Sequence, residues 1–143
     1  MLRSKVIRLV LAGMLALTGI AQTASAADKI KEKVVLQVSD DNPKTWNQAL
    51  NNIENLQDAY GKENIEVELV AIGLGLGVLK LESVAASRVQ DALKSGASIV
   101  ACEVTMNRGK LTKADMQPNI GYVRGGLVEI ITRQRQGWVL IRP

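Results

Sequence analysis

Apolar residues in this chain form two alternating patterns, short near-continuous runs and longer stretches with helical spacing. Near-continuous aliphatic runs are typical of parallel strands that are buried on both faces. Five such runs predict strands, at residues 33–39, 65–72, 97–102, 121–123 and 138–141. Apolar residues that recur every three or four positions separate these runs and indicate amphipathic helices. The alternation predicts one three-layer α/β domain with a mostly parallel sheet and right-handed crossovers.

Capping residues mark the ends of the first two predicted helices. Asn42 and Pro43 suit the N-cap and first position of a helix that Gly61 ends. Gly96 lies in the usual place after the end of a second helix. The apolar face predicted for that second helix comprises Leu81, Val84, Ala85, Val89, Ala92 and Leu93.

Two more helices are predicted in the second half of the chain. Thr112 and Asp115 have the spacing of a capping box on a short helix, which Pro118 stops. A glycine pair at residues 125–126 opens the last helix. Its predicted inward positions are Leu127, Ile130 and Ile131.

The N-terminal segment has the pattern of a secretory signal peptide. Arg3, Lys5 and Arg8 precede an apolar stretch at residues 9–20, and an Ala-Ser-Ala sequence follows at residues 24–26. A basic start, an apolar centre and a small-residue cleavage site define such signals. We expect cleavage after residue 26, a periplasmic or secreted protein that does not associate with membranes, and a single domain at residues 27–143.

Charge gives no support for a nucleic-acid partner. The full chain has 18 lysines and arginines against 14 acidic residues, but three of the basic residues lie in the predicted signal peptide. Residues 27–143 therefore carry 15 basic and 14 acidic side chains. Proteins that bind nucleic acid have a clear basic excess. Neither nucleic acid nor a membrane surface is predicted as a partner.

The residue types also limit the chemistry. The chain contains no histidine and one cysteine, so it lacks the usual donors for zinc or copper. Histidine is also the commonest base for a serine or cysteine nucleophile. No metal and no cofactor are predicted, and the sequence leaves open whether the protein is an enzyme.

A glycine-rich run follows the second predicted strand. Gly73, Gly75 and Gly77 begin like a dinucleotide-binding loop, but Val78 occupies the position where that motif needs glycine. The run also follows the second strand rather than the first. It is either a strand-to-helix turn or a loop that lines a ligand pocket.

Cys102 ends the third predicted strand and is the main candidate for chemistry. Ligands in open α/β sheets bind beyond the carboxyl ends of the strands. A lone cysteine is either a small buried hydrophobic residue or a thiol with a lowered pKa. Arg108 and Lys110 are near enough in sequence to supply positive charge, whereas Glu103 would oppose a thiolate. The sequence alone favours neither alternative.

Four segments resemble the DsrE/DsrF-like family of small sulfur-relay proteins. They are ACEVTM at residues 101–106, VAIGLG at 70–75, RQRQGW at 133–138 and IRP at 141–143. The resemblance extends over residues 33–143. It implies a flavodoxin-like three-layer α/β/α fold with a five-stranded parallel sheet and a homo-oligomer, either a trimer or a hexamer.

The resemblance also implies a role for the thiol. In sulfur-relay members of the family, a cysteine after the middle strand carries a persulfide and passes sulfur to a partner protein. Cys102 matches that position. This chain departs from the family in its predicted export and in the acidic Glu103 beside the cysteine.

Two function hypotheses from different classes follow. The first is a sulfur carrier or sulfurtransferase component in which Cys102 takes sulfane sulfur from a donor protein or gives it to an acceptor. Gly73, Gly75 and Gly77 would shape the pocket, and Thr105 or Asn107 would donate hydrogen bonds. The second is a non-catalytic module of the same fold that binds a small molecule or serves in an oligomeric assembly.

Overall fold

The computed structural model describes residues 31–143, so the predicted signal peptide lies outside the described residues. The strands are β1 (Glu32–Val38), β2 (Ile65–Ala71), β3 (Ser98–Cys102), β4 (Gly121–Val123) and β5 (Val139–Ile141). The α-helices are α1 (Pro43–Tyr60), α2 (Ala86–Lys94), α3 (Glu103–Arg108) and α4 (Gly126–Arg135). Two 3₁₀ segments, Gly73–Leu79 and Lys113–Asp115, complete the described part of the chain.

The five strands form one parallel sheet in the order β4-β3-β2-β1-β5. The chain moves in one direction from β1 to β4 and then returns past β1 to add β5. Right-handed crossovers place helices on opposite faces when the direction of travel reverses. As a result α1, α2 and α3 cover one face and α4 covers the other. The α/β fold predicted from the sequence is confirmed.

The two faces have cores of unequal size. Alternate residues of each strand point to opposite faces, so Leu36 and Leu69 pack under α1 while Val35 and Val70 pack under α4. The larger core also takes in the apolar side of the first 3₁₀ segment and α2. The smaller core is completed by Val100, Ile130 and Trp138. The face under α4 is the one that carries Cys102.

Several predicted element boundaries are wrong. The second helix begins at Ala86, and Leu81 and Val84, which the sequence placed on its buried face, are exposed. The residues before Ala86 form the 3₁₀ segment and a turn. Their apolar side chains are therefore not arranged on one face of an α-helix. Residues 103–108, for which the sequence predicted no helix or strand, form α3.

The inward face of the last helix was also predicted too broadly. Only Ile130 of its three predicted apolar contacts is buried, whereas Leu127 is 58% exposed and Ile131 is 49% exposed. Gly126 and Ile130 lie four residues apart, about one helical turn, and form a narrow contact stripe on the sheet. Leu127 and Ile131 lie one position further round the helix and point outward.

No helix within residues 31–143 is long and apolar enough to cross a membrane.

Candidate functional site

Cys102 lies at the carboxyl edge of the sheet, between the first turn of α3 and the first turn of α4. It is the last residue of β3 and the N-cap of α3. Its neighbours across the sheet at this edge are the ends of β2 and β4. The residue is only 5% exposed. The sulfur is therefore placed where α/β proteins bind ligands, but beneath the surface.

One hydrogen bond to the thiol comes from the first residue of α4. The backbone N–H of Gly126 donates a hydrogen bond to Sγ of Cys102, with 3.2 Å between nitrogen and sulfur. The approach depends on glycine, because a Cβ at position 126 would overlap Cγ2 of Ile72 and lie 3.3 Å from Cβ of Cys102. A larger residue would push the amide away from the sulfur. The glycine pair that the sequence predicts as a helix start thus also allows the backbone of α4 to approach the thiol closely.

The pKa of the thiol reflects two opposing influences. Burial has the largest effect and raises the pKa of Cys102. Four hydrogen-bond donors act against it, namely the Thr105 hydroxyl and the backbone N–H groups of Gly126, Thr105 and Val104. Hydrogen bonds to the charged form favour that form. Together they hold the pKa below its ordinary value of 9.0, so the thiolate is favoured by donors rather than by neighbouring cations.

Thr105 connects the thiol to the glycine-rich segment. Its hydroxyl faces Cys102, and its Oγ1 accepts a hydrogen bond from the backbone N–H of Gly73 at 3.1 Å. Gly73 has a φ of +54°, a conformation that glycine adopts without cost. The amide of Gly73 orients the threonine hydroxyl, and that hydroxyl in turn donates toward the sulfur.

A cleft of about 420 Å³ opens on the other side of Thr105, between the first 3₁₀ segment and α3. The structure brings three of the predicted pocket residues together here, Gly73, Gly77 and Thr105. The remaining lining residues are Leu74, Leu76, Lys80, Arg108, Gly109 and Leu111. Cys102 does not line the cleft and is separated from it by Thr105.

The other two predicted pocket residues lie elsewhere. Gly75 is buried against the backbone of Val38 and Ser39 at the end of β1 and does not line the cleft. Asn107 is exposed on α3 and lines a separate depression together with Glu103. Neither residue donates a hydrogen bond to the thiol.

The sequence did not predict two of the site residues, Gly126 beside the thiol and Lys80 in the cleft. Gly126 follows Cys102 by 24 positions, and nothing local shows that its amide will meet the sulfur. Lys80 was missed because only the glycines of residues 73–77 were considered as a possible pocket loop, and Lys80 lies three positions beyond them. The sequence did indicate Arg108 as a source of positive charge, because it lies six positions after the cysteine. The structure places Arg108 in the cleft rather than against the sulfur.

No family model and no curated protein matches this chain. Solved structures do. A protein of unknown function, MTH1491 from Methanobacterium thermoautotrophicum, is 26% identical with a TM-score of 0.75, and the match covers 79% of this chain and all of that one (100%). The ychN protein from E. coli is 10% identical with a TM-score of 0.66, over 78% and 99% of the two chains.

A protein of unknown function, BT1422 from Bacteroides thetaiotaomicron, has a TM-score of 0.65 at 15% identity, over 78% and 95% of the two chains. All three matches span nearly the whole of the other chain, so the similarity concerns a complete domain. MTH1491 and the ychN protein have the DsrE/DsrF-like fold, and the chain therefore has this fold as well. This agrees with the resemblance seen in the sequence at the level of architecture.

Proposed function

We propose that this protein carries sulfane sulfur as a persulfide on Cys102. The observation that carries the proposal is the set of hydrogen-bond donors around Sγ, which lowers the pKa of a thiol that burial alone would raise. A thiolate is the reactive form of cysteine, and hydrogen bonds that favour it mark cysteines with chemistry. A cysteine with only a packing role has no need of such donors.

The transfer chemistry is a thiolate exchange. The Cys102 thiolate attacks the terminal sulfur of a persulfide or polysulfide donor, and a new S–S bond forms to Sγ. The S–S bond within the donor breaks, and the donor leaves as a thiolate with the bonding electron pair. An acceptor thiolate then attacks the outer sulfur of the Cys102 persulfide, which returns Cys102 as a thiolate.

We expect native protein to gain one or more sulfur atoms after exposure to polysulfide, as measured by intact mass, and to lose them on reduction. Cys102→Ser should gain none. Loading should slow as the pH falls through the thiol pKa, which lies below 9.0, because protonation removes the nucleophile. Thr105→Val removes one donor and should slow loading at neutral pH by about threefold to tenfold, since one pKa unit changes the thiolate fraction by about tenfold.

Thr132→Val serves as the matched control. The hydroxyl of Thr132 bonds only to the Val128 carbonyl of its own helix, so loading should not change. Sulfur gain after unfolding but not in the native protein would contradict the carrier proposal. It would favour the second candidate, a non-catalytic module that binds a small molecule in the cleft beside Thr105. The 5% exposure of Cys102 is the observation on which that alternative rests.

We also propose that the homo-oligomer expected from the sequence forms through α4. Leu127, Val128 and Ile131 are exposed on the outer side of this helix. Apolar side chains grouped on one exposed face are typical of protein interfaces. In the predicted trimer or hexamer, a second copy of the chain would cover this surface.

The mass in solution tests this surface. We expect wild-type protein to have the mass of a trimer or hexamer by light scattering, and Val128→Lys to lower it because a lysine buried in the contact would lack a partner. Val84→Lys is the control, since Val84 is equally apolar and 79% exposed but follows the first 3₁₀ segment, away from α4. A monomeric wild type, or equal masses for both variants, would count against this surface. Export through residues 1–26 stays a prediction.

A further inference from the structure

The cleft beside Thr105 has an uncompensated positive charge. Lys80 and Arg108 both line it, and none of its lining residues is acidic. Among residues 31–143, neither cation takes part in a salt bridge. Lys80 is half-buried, and Arg108 is exposed at the edge of the cleft. A cleft lined by one sign of charge attracts ions of the opposite sign from solution. The charge of the cleft therefore indicates the charge of its ligand.

Three carboxylates lie near Lys80. Asp41 and Glu82 line a neighbouring depression together with it, but neither forms a salt bridge with it among residues 31–143. The third carboxylate is that of Asp115. Asp115 is fully exposed, and its Oδ2 accepts hydrogen bonds from the backbone N–H and the hydroxyl of Thr112, at 2.7 and 2.8 Å. These bonds are the main cause of the lowered pKa of Asp115, and Lys80 contributes least. Asp115 is committed to its capping box, so Lys80 keeps its charge available to the cleft.

The other walls of the cleft suit a small ligand. Gly73 and Gly77 bring the backbone close without side chains, while Leu74, Leu76 and Leu111 supply apolar surface. A volume of about 420 Å³ is in the range of small-molecule sites. Arg108 has the planar fork of donors that matches two oxygens of an oxyanion. A compact anion with several oxygens can contact both cations, whereas a cationic molecule would be repelled by them.

We propose that this cleft binds a small sulfur oxyanion of the thiosulfate type, held by Lys80 and Arg108. Its use as a sulfur donor rests on the proposed function of Cys102. The thiosulfate oxyanion lies against the two cations, and its outer sulfur is directed toward Thr105, which separates the cleft from the thiol. The cleft then selects the donor, and Cys102 performs the transfer.

The transfer is balanced without any other reactant. Transfer requires the Thr105 side chain to rotate aside, because it separates the cleft from Sγ. The Cys102 thiolate then attacks the outer sulfur of thiosulfate, and an S–S bond forms to Sγ. The S–S bond of thiosulfate breaks, and sulfite leaves with the electron pair. Cys102 gains one sulfur as a persulfide anion, and no oxidant or reductant is consumed. The leaving sulfite carries its charge on oxygens that the same two cations hold.

Binding is measured first in Cys102→Ser, where transfer is impossible. We expect titration calorimetry to detect thiosulfate and also unreactive sulfate, with affinity that falls as sodium chloride is added because exposed charges are screened. Arg108→Met and Lys80→Met should each raise the dissociation constant by about tenfold, since each removes one charge-assisted contact. Arg135→Met, on the opposite side of the sheet, should leave it unchanged. Equal affinity in all four proteins would overturn the proposal.

Loading is measured second, with Cys102 present. Arg108→Met should reduce the rate of sulfur gain from thiosulfate by about tenfold, for the same lost contact. It should leave alkylation by neutral iodoacetamide unchanged, which shows that the thiol itself is intact. Equal thiosulfate loading by wild type and variant would refute the oxyanion site and leave the carrier function standing. Oxyanion binding that depends on both cations, without sulfur gain from any donor, would refute the carrier function and leave the site standing.

Discussion

Gly75→Ala is expected to lower the free energy of unfolding by about 3 kcal/mol or more, the upper range for overpacking in a closed site. A Cβ at this position would overlap the carbonyl group of Val38 and lie 2.7 Å from the backbone nitrogen of Ser39. The obstructing atoms are backbone, so no side chain can rotate to make room. The Val38 carbonyl also accepts the hydrogen bond from Ile72, and moving it would weaken the junction of β1 and β2.

Chemical denaturation measures the effect, with Gly109→Ala as the control. A Cβ at position 109 would meet its nearest atom, the Thr105 carbonyl oxygen, at an ordinary 3.5 Å, and the backbone there is not in the left-handed region. Gly109→Ala should therefore change stability by about 0.5 kcal/mol or less. If Gly75→Ala unfolds at the same denaturant concentration as this control, the close approach of the 3₁₀ segment to β1 is wrong.

The consequence of this packing reaches the candidate site. The N–H of Gly75 bonds to the Ile72 carbonyl and starts the 3₁₀ segment directly after β2. That path places the amide of Gly73 on Thr105. The sequence predicted Gly75 as a pocket residue, whereas its place against β1 makes it a support for the loop that forms the pocket wall.

Strand patterns in the sequence were sufficient to predict the sheet, because the mostly apolar composition of runs such as residues 65–72 indicates that they are buried strands. The first 3₁₀ segment could not be predicted in this way. Its buried residues Leu76, Val78 and Leu79 follow no helical or strand period, and Gly75 is required by contact with a strand about 37 positions earlier. The wrong start of the second helix followed directly, since the sequence shows apolar spacing but not what the intervening chain packs against.

The site was predictable only in part for the same reason. The position of Cys102 at a strand end can be read locally, and the neighbouring Thr105 comes with it. The amide of Gly126 lies well after Cys102 in the sequence, and the ammonium of Lys80 lies well before it. Only the folded structure brings both groups to the site. Glu68 shows the same limit on the α4 face. The sequence places this residue in a buried strand but does not show what pairs with its charge, because its partner Arg133 lies 65 positions away.

Arg133→Met is expected to lower the free energy of unfolding by about 3 kcal/mol, the low end of the range for breaking a buried ion pair. Arg133 donates two hydrogen bonds to Glu68, at 3.1 and 2.7 Å, and its guanidinium stacks over Trp138 at 4.6 Å. The Glu68 side chain is 2% exposed and would be left charged without its cation. The lower end applies because the Arg133 side chain is 29% exposed, so water offsets part of the loss.

The loss should depend on pH in a direction that the carboxyl group sets. Burial is the largest influence on Glu68 and raises its pKa above 4.5, while Arg133 lowers it. Without Arg133 the pKa rises further. A carboxyl group with a raised folded-state pKa stabilises the fold most below its unfolded pKa, and that contribution is lost as the pH rises through the folded value. Arg133→Met should therefore be less damaging at about pH 5 than at about pH 7.5.

Two further variants separate the ion pair from simple loss of packing. Arg135→Met removes an arginine from the same helix that is exposed and forms no salt bridge within residues 31–143, so its stability should match that of the wild type. Adding Glu68→Gln to Arg133→Met removes the unpaired charge and should restore part of the stability at about pH 7.5. If the double variant is no more stable than Arg133→Met, and the loss is equal at both pH values, the cost comes from packing against Trp138 and the ion pair contributes nothing.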